Sequence, residues 1–144
     1  MILSPCHRAM VIAHARQAAP AEACGILAGV DGRVRRVYRL PNIAETPVTR
    51  FLADPEAQLV RFREMERLGL EMLAVYHSHP RSLPVPSATD VEMAYYPEAR
   101  QVIVSLAGRR PRIKCFVVRD GKVIEEALSA GRESTRGAAG RRPH

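Results

Sequence analysis

The stretch YHSHPRSLPVPSATD, residues 76–90, ends an apolar run, EMLAVYHSH (71–79), with two of the chain's five histidines. A loop holding three prolines follows, then a serine and an aspartate. Side chains alternate across a β-strand, so a strand over 71–79 points His77 and His79 to one face and Ser78 to the other. A polar strand end followed by a turn would need no further explanation. Two imidazoles held on one face of a rigid strand also make half of a metal site. The rest of the chain decides between the two.

Working outward, Ser4-Pro5 has the form of a helix cap followed by proline in the first turn, and predicts a helix to about Gln17 with Met10, Ile12 and Ala13 among its apolar positions. ACGILAGV (23–30) is too short for an isolated helix and suits a buried strand. Asp31-Gly32 is a hairpin signal that returns the chain along RVRRVYRL (33–40), with a basic outer face. Pro41 and Pro47 bracket a loop, and RFL (50–52) is expected to form a short edge strand. Asp54-Pro55 repeats the cap-and-proline pattern; Leu59, Phe62, Met65 and Leu68 recur at helical spacing, and Gly69 stops the helix.

Beyond the strand at 71–79, SATDVEMAYY (87–96) is expected to open a short helix. QVIVSLA (101–107), RIKCFVVRD (112–120) and KVIEEAL (122–128) are expected strands, the last two joined by Asp120-Gly121. The order α-β-β-α-β-α-β-β-β, with hairpins, predicts an α+β domain with a mostly antiparallel sheet and three helices. It occupies residues 1–129, and the Gly- and Arg-rich segment 130–144 is expected to be a disordered basic tail.

The 144 residues suffice for one domain with one core. No apolar run approaches the roughly 20 residues that span a bilayer, and MILSPCHRAMVIAHARQ lacks the basic start and continuous apolar middle of a signal peptide. The reading is a cytoplasmic protein with no membrane partner. Cys6, Cys24 and Cys115 are odd in number, form no C-x-x-C, and are expected to be small buried hydrophobes. The net charge of +7 comes partly from the tail, where four arginines oppose one glutamate. Basic and aromatic residues do not interleave, which disfavours nucleic acid as a partner. A basic surface also suits an acidic protein partner.

Zinc needs a third protein ligand and an open position to do chemistry. Asp90 is the nearest candidate, one turn into a helix that the proline loop folds back over the strand end. Hydrolysis further needs a base, for which Glu22, at the start of the apolar strand 23–30, is placed, and an oxyanion donor, for which Ser87 has the hydroxyl. Each has a simpler reading. Ser87-x-x-Asp90 is also a helix-capping pattern, and Glu22 alone is a solvated charge. His7 and His14, seven apart on the first helix, are read as face residues rather than ligands.

The whole string is H-x-H, seven residues, S, two residues, D, with a glutamate upstream before a glycine-containing apolar strand. It resembles the JAMM (MPN+) metalloprotease family, in the lineage of Mov34/MPN/PAD-1 domains, over about residues 5–128. The neighbourhoods AHARQAAPAEACGILAG, YHSHP and PSATDVEMA look like its short prokaryotic subgroup. The resemblance implies the MPN (cytidine-deaminase-like) fold, with a curved sheet. It implies one Zn²⁺ per chain held by His77, His79 and Asp90, with Glu22 as general base and acid and Ser87 stabilising the tetrahedral intermediate. The assignment of Glu22 leans on the family. The implied activity is a zinc peptidase or isopeptidase acting at the C-terminal Gly-Gly tail of a ubiquitin-like sulfur carrier protein. No long insertion grips a larger partner, since only GRRP (108–111) separates two late strands. The other readings are a metal-bound MPN interaction module without activity and a basic nucleic-acid-binding protein. The oligomeric state is left open.

Overall fold

A computed structural model describes residues 1–131 except Met93 and Tyr95. Helix α1 (Pro5–Ala18) begins where the Ser4 hydroxyl accepts the His7 N–H. Its buried stripe is Val11 and Ala15, one turn apart, while Met10 is largely exposed. Strands β1 (Cys24–Val30) and β2 (Arg33–Leu40) are joined at Asp31 and Gly32, both with positive φ as a two-residue hairpin turn requires. Helix α2 (Pro55–Leu68) starts at Asp54, whose carboxylate accepts the Glu56 N–H, and ends on Gly69 at φ 71°. Of its expected apolar face, Met65 is buried and Phe62 half-buried, whereas Leu59 and Leu68 are exposed.

Next come β3 (Glu71–His79), the short α3 (Ala88–Glu92), β4 (Arg100–Ser105), β5 (Arg112–Arg119) and β6 (Lys122–Glu126). The sheet order is β2-β1-β3-β4-β5-β6. Every neighbouring pair is antiparallel except β3 and β4, whose parallel pairing needs the crossover that carries the proline loop and α3. The α+β class and the mostly antiparallel sheet with three helices are as expected.

Alternation sorts the sheet into two faces. Helix α1 covers Leu27, Tyr76, Val102 and Val104. Helix α2 covers Cys24, Ile26, Ala28 and Tyr38, with Phe51 packed against them. Gly25 pairs with Tyr76, and a Cβ there would collide with the tyrosine ring, so the glycine makes room for the largest fully buried side chain.

Several expectations change. Residues 50–52 form no strand; only the bridge between Asn42 and Ala53 remains. The Asn42 side chain explains this by taking the backbone groups a ladder would use. Its amide donates to the carbonyls of Glu22 and Arg50, each at 3.0 Å, and its oxygen accepts the N–H of Ala44 and of Leu52. Strand β6 stops before Leu128 because Ser129 bonds the N-terminal backbone at Met1 and Leu3. Helix α3 is shorter than expected, and Met93 and Tyr95 of the expected span lie outside the described residues. Cys6 is exposed, on the outer side of the first turn of α1, while Cys24 and Cys115 are buried thiols. Of the expected tail, 132–144 lie outside the described residues. Among the described residues, no helix is long and apolar enough to cross a membrane.

Candidate metal centre

Strand β3 ends with His77 and His79 on the α2 face, as alternation requires, and both are buried. The proline loop then turns back: Pro84 is buried as its anchor, while Leu83 and Val85 stay exposed. Ser87 opens α3 as a reciprocal cap. Its N–H donates to Asp90 Oδ2 at 2.8 Å, and the Asp90 N–H donates to Ser87 Oγ at 3.0 Å. The cap holds the Asp90 carboxylate against the strand end. Capping leaves the Ser87 hydroxyl proton free, since the oxygen accepts from Asp90 and can still donate elsewhere. The two roles anticipated as competitors are compatible.

His77 Nε2, His79 Nε2 and Asp90 Oδ2 form a triangle with all three sides 3.1 Å. Three lone-pair atoms at this spacing match the edge of ~3.3 Å expected for a tetrahedron with bonds near 2.0 Å. His79 Nδ1–H donates to the Leu83 carbonyl at 2.8 Å, which turns the Nε2 lone pair toward the triangle. His77 is fully buried, and the Phe51 ring stacks on it with centroids 4.5 Å apart. Its Nδ1 has no partner among the described residues. Chemically and geometrically these donors fit a divalent cation, and they are the one group of this kind among the described residues.

The charges point the same way. Burial holds the His77 pKa below the usual histidine range, against the pull of Asp90. Burial also acts to lower His79, but the Asp90 carboxylate, the Leu83 carbonyl and Glu22 outweigh it and raise its pKa. Burial opposes ionisation of Asp90 as well, yet its bonds to the two histidines and the Ser87 N–H hold its pKa well below the carboxylate range. A carboxylate fixed in its ionised form between imidazole nitrogens is suited to ligate a cation.

Glu22 stands just before β1. Cys24 pairs with His77, and extending that register by two residues sets Glu22 opposite His79 on the same face. Its backbone is clamped: the N–H donates to the Pro47 carbonyl at 2.7 Å and the carbonyl accepts from Asn42. Behind it, the buried Ser78 hydroxyl accepts the Ala23 N–H at 2.7 Å, and the Ser78 N–H donates to the Ala23 carbonyl. The Glu22 carboxyl is buried, and its Oε1 lacks a partner among the described residues. Burial, assisted by Asp90 and opposed by His79, pushes its pKa up to about 7, where a carboxyl group both takes and gives a proton.

Glu22, His79 and Ser87 border one cavity of about 330 Å³, and Phe51 and Thr89 border another of about 690 Å³. The five residues singled out in the sequence are thus brought to one strand end. Ser78, Asn42 and Phe51 were not singled out. Ser78 was read only as the residue between two ligands, and its outward-facing parity was the one available signal. Nothing local marks Asn42 or Phe51, whose roles depend on a loop folding over β1 and β3.

Residues 4–118 match the family model for prokaryotic homologs of the JAB domain. A CysO-cysteine peptidase of Mycobacterium tuberculosis is 37% identical over 121 residues, covering 83% of this chain and 83% of that protein. A desampylase of Haloferax volcanii is 41% identical over 108 residues, covering 71% of this chain and 78% of that protein. The solution structure of a protein from Desulfitobacterium hafniense superposes with a TM-score of 0.81 at 40% identity, covering 89% of this chain and 91% of that one. The crystal structure of a JAB1/MPN domain protein from Archaeoglobus fulgidus, at 21% identity, shares the fold with a TM-score of 0.54, covering 85% of this chain and 92% of that one.

Proposed function

This chain belongs to the family of prokaryotic JAB-domain homologues, and on that premise we propose that it is a zinc peptidase that hydrolyses the peptide or isopeptide bond at the C-terminal tail of a ubiquitin-like sulfur carrier protein. The observation that carries the reading is the 3.1 Å triangle of His77, His79 and Asp90 with a buried, unpartnered Glu22 oxygen beside it. His77, His79 and Asp90 would hold one zinc. Bound with an open fourth position, it would polarise the scissile carbonyl and lower the pKa of a bound water toward ~7.

The rest is done by this chain's own side chains. Glu22 takes a proton from the attacking water and returns it to the leaving amine, a pair of transfers for which its buried place beside His79 suits it. The free hydroxyl proton of Ser87 donates to the developing oxyanion while its oxygen stays on the Asp90 N–H. Phe51 and the Leu83 carbonyl keep the two imidazoles from rotating. An extended tail suits the exposed, half-open cavities, because glycines pass where side chains would clash. The relatives' names, a CysO-cysteine peptidase and a desampylase, support this substrate class. The buried Glu22 carboxyl beside the ligand triangle disfavours the reading as an inactive interaction module, because a scaffold has no use for it there. Unpaired Cys24 and Cys115 are consistent with the cytoplasm as its location.

The test is to incubate the protein with carriers from the same genome bearing extra C-terminal residues or a tail adduct, and to follow intact mass. Cleavage just after the glycine pair, blocked by a chelator, is the expected result. If unrelated peptide-tailed proteins are cut equally while no carrier is processed, the substrate is wrong and the peptidase stands.

A further inference from the structure

The two cavities beside the centre differ in what they offer to the two halves of a cleaved bond. The group that returns a proton to the leaving amine has to border the space the amine occupies. Glu22 lines the cavity of about 330 Å³ and is absent from the lining of the larger one. The smaller cavity, which His79 and Ser87 also border, therefore receives the leaving group beside the reacting carbonyl, while the larger one is walled by Ile43, Phe51 and Leu52. The volume of the smaller cavity lies at the small end of ligand-sized pockets and matches about one residue.

One cation lines it, Arg81, immediately after the His79-Pro80 turn. Arg81 is exposed and makes no hydrogen bond or ion pair with any described residue, although acidic side chains partner several other arginines. The backbone beneath it is fixed by what surrounds the loop: Ser105 Oγ donates to the Ser82 carbonyl at 2.6 Å, and Pro84 is buried. A guanidinium with no partner among the described residues, on a held loop and opening into the cavity that Glu22 borders, is placed to receive an anion. The nearest anion a leaving group can carry is its own α-carboxylate. In a single residue joined through its α-amine, that carboxylate is two bonds from the scissile nitrogen. A lysine side chain of a protein carries none near its amine.

We infer that Arg81 determines leaving-group specificity: it binds the free carboxylate of a single amino acid released from the tail, and so favours a one-residue extension over an isopeptide-linked protein. The inference rests on the proposed peptidase reading. Charge-assisted recognition by an exposed arginine predicts a preference on the order of 10-fold.

The experiment uses two peptides that end in Gly-Gly followed by one further residue, identical except that one terminates in a carboxylate and the other in a carboxamide. Wild-type protein should cleave the carboxylate peptide with about 10-fold higher kcat/KM. The ratio should collapse toward one in Arg81→Ala and be partly restored in Arg81→Lys. In a Glu22→Gln background, titration followed by calorimetry should show the same carboxylate preference in Kd, lost when Arg81→Ala is added. Equal cleavage of both peptides by the wild type overturns the inference and leaves the peptidase reading intact. An equal loss on both peptides in Arg81→Ala also overturns it, because Arg81 would then be supporting the loop. If neither peptide is cut, the peptidase reading fails and the inference falls with it.

Discussion

Successive residues of β3 face opposite sides of one sheet and end up in opposite states. On the α1 side, Tyr76 and Ser78 are fully buried and satisfied: the tyrosine hydroxyl shares a 2.7 Å hydrogen bond with His14 Nδ1, and Ser78 Oγ holds the Ala23 N–H. On the α2 side, His77 Nδ1 and Glu22 Oε1 are the buried side-chain atoms left without a partner among the described residues. Burying a polar group unpaired costs about 1–3 kcal/mol, so a fold keeps such groups only where something else is gained. The α1 face pairs its buried polar groups within the fold, while the α2 face sets them around the candidate metal centre.

The sharpest way to break this contrast is to remove a ligand. His77→Ala or Asp90→Ala should take bound zinc from about one per chain to none, by metal analysis of the purified protein. Full retention in both variants would remove the centre. Next in size, Glu22→Gln should keep the zinc and lower kcat by about 10²–10⁴-fold. Ser87→Ala should lower kcat on the order of 10²-fold. If Ser87→Ala lowers only the melting temperature, capping is its whole role.

On the opposite face, Ser78→Ala strands the Ala23 N–H and should destabilise by about 1–3 kcal/mol in denaturant unfolding. Thr should largely rescue it, and wild-type stability for the alanine variant would show that this face carries less than argued.

The smallest effect separates the faces by pH. Burial first, and then Arg39, lowers the His14 pKa to about 4, so the unfolded chain binds the extra proton between pH 6.5 and 4. The His14 contribution is full above pH 6.5 and is lost as pH falls toward 4. Glu22 runs the other way. With its pKa raised to about 7, the folded state holds the extra proton, and its contribution is lost as pH rises from 4.5 through 7. Melting curves from pH 4 to 7.5 on metal-free protein should show His14→Gln losing less stability than wild type on acidification. Glu22→Gln should gain on wild type as pH rises. Parallel curves for all three would erase the distinction.

His77, His79, Ser87 and Asp90 were legible as candidates because each sits at a fixed offset within a local element, whereas Glu22 was reached through the family resemblance. Two ligands are one strand repeat apart, and Ser87 and Asp90 are one helical turn apart with a capping pattern that forces them together. Both Asp-Gly hairpins and both cap-and-proline helix starts were legible for the same reason. RFL was misread because its apolar residues look like a strand; Asn42, eight residues away from Arg50, claims the carbonyls and amides first. Which apolar positions of the first helix face the core was not legible, because helical periodicity gives a stripe and not its rotation; the sheet selects Val11 and Ala15.

The sequence by itself marked the candidate ligands, the turns and the class of fold, since these follow from short-range spacing and residue chemistry; Glu22 entered as base only through the family resemblance. Tertiary structure alone decided that β3 pairs in parallel with β4, that Ser78 and Asn42 clamp the backbone around Glu22, and that Phe51 covers His77. It also decided that Arg81 opens into the cavity Glu22 borders. The physical reason is distance along the chain: Ser78 and Ala23 are 55 residues apart, and no local propensity can say that the hydroxyl of one will satisfy the amide of the other. Only closing the sheet brings the two together, and only burial makes that hydrogen bond matter.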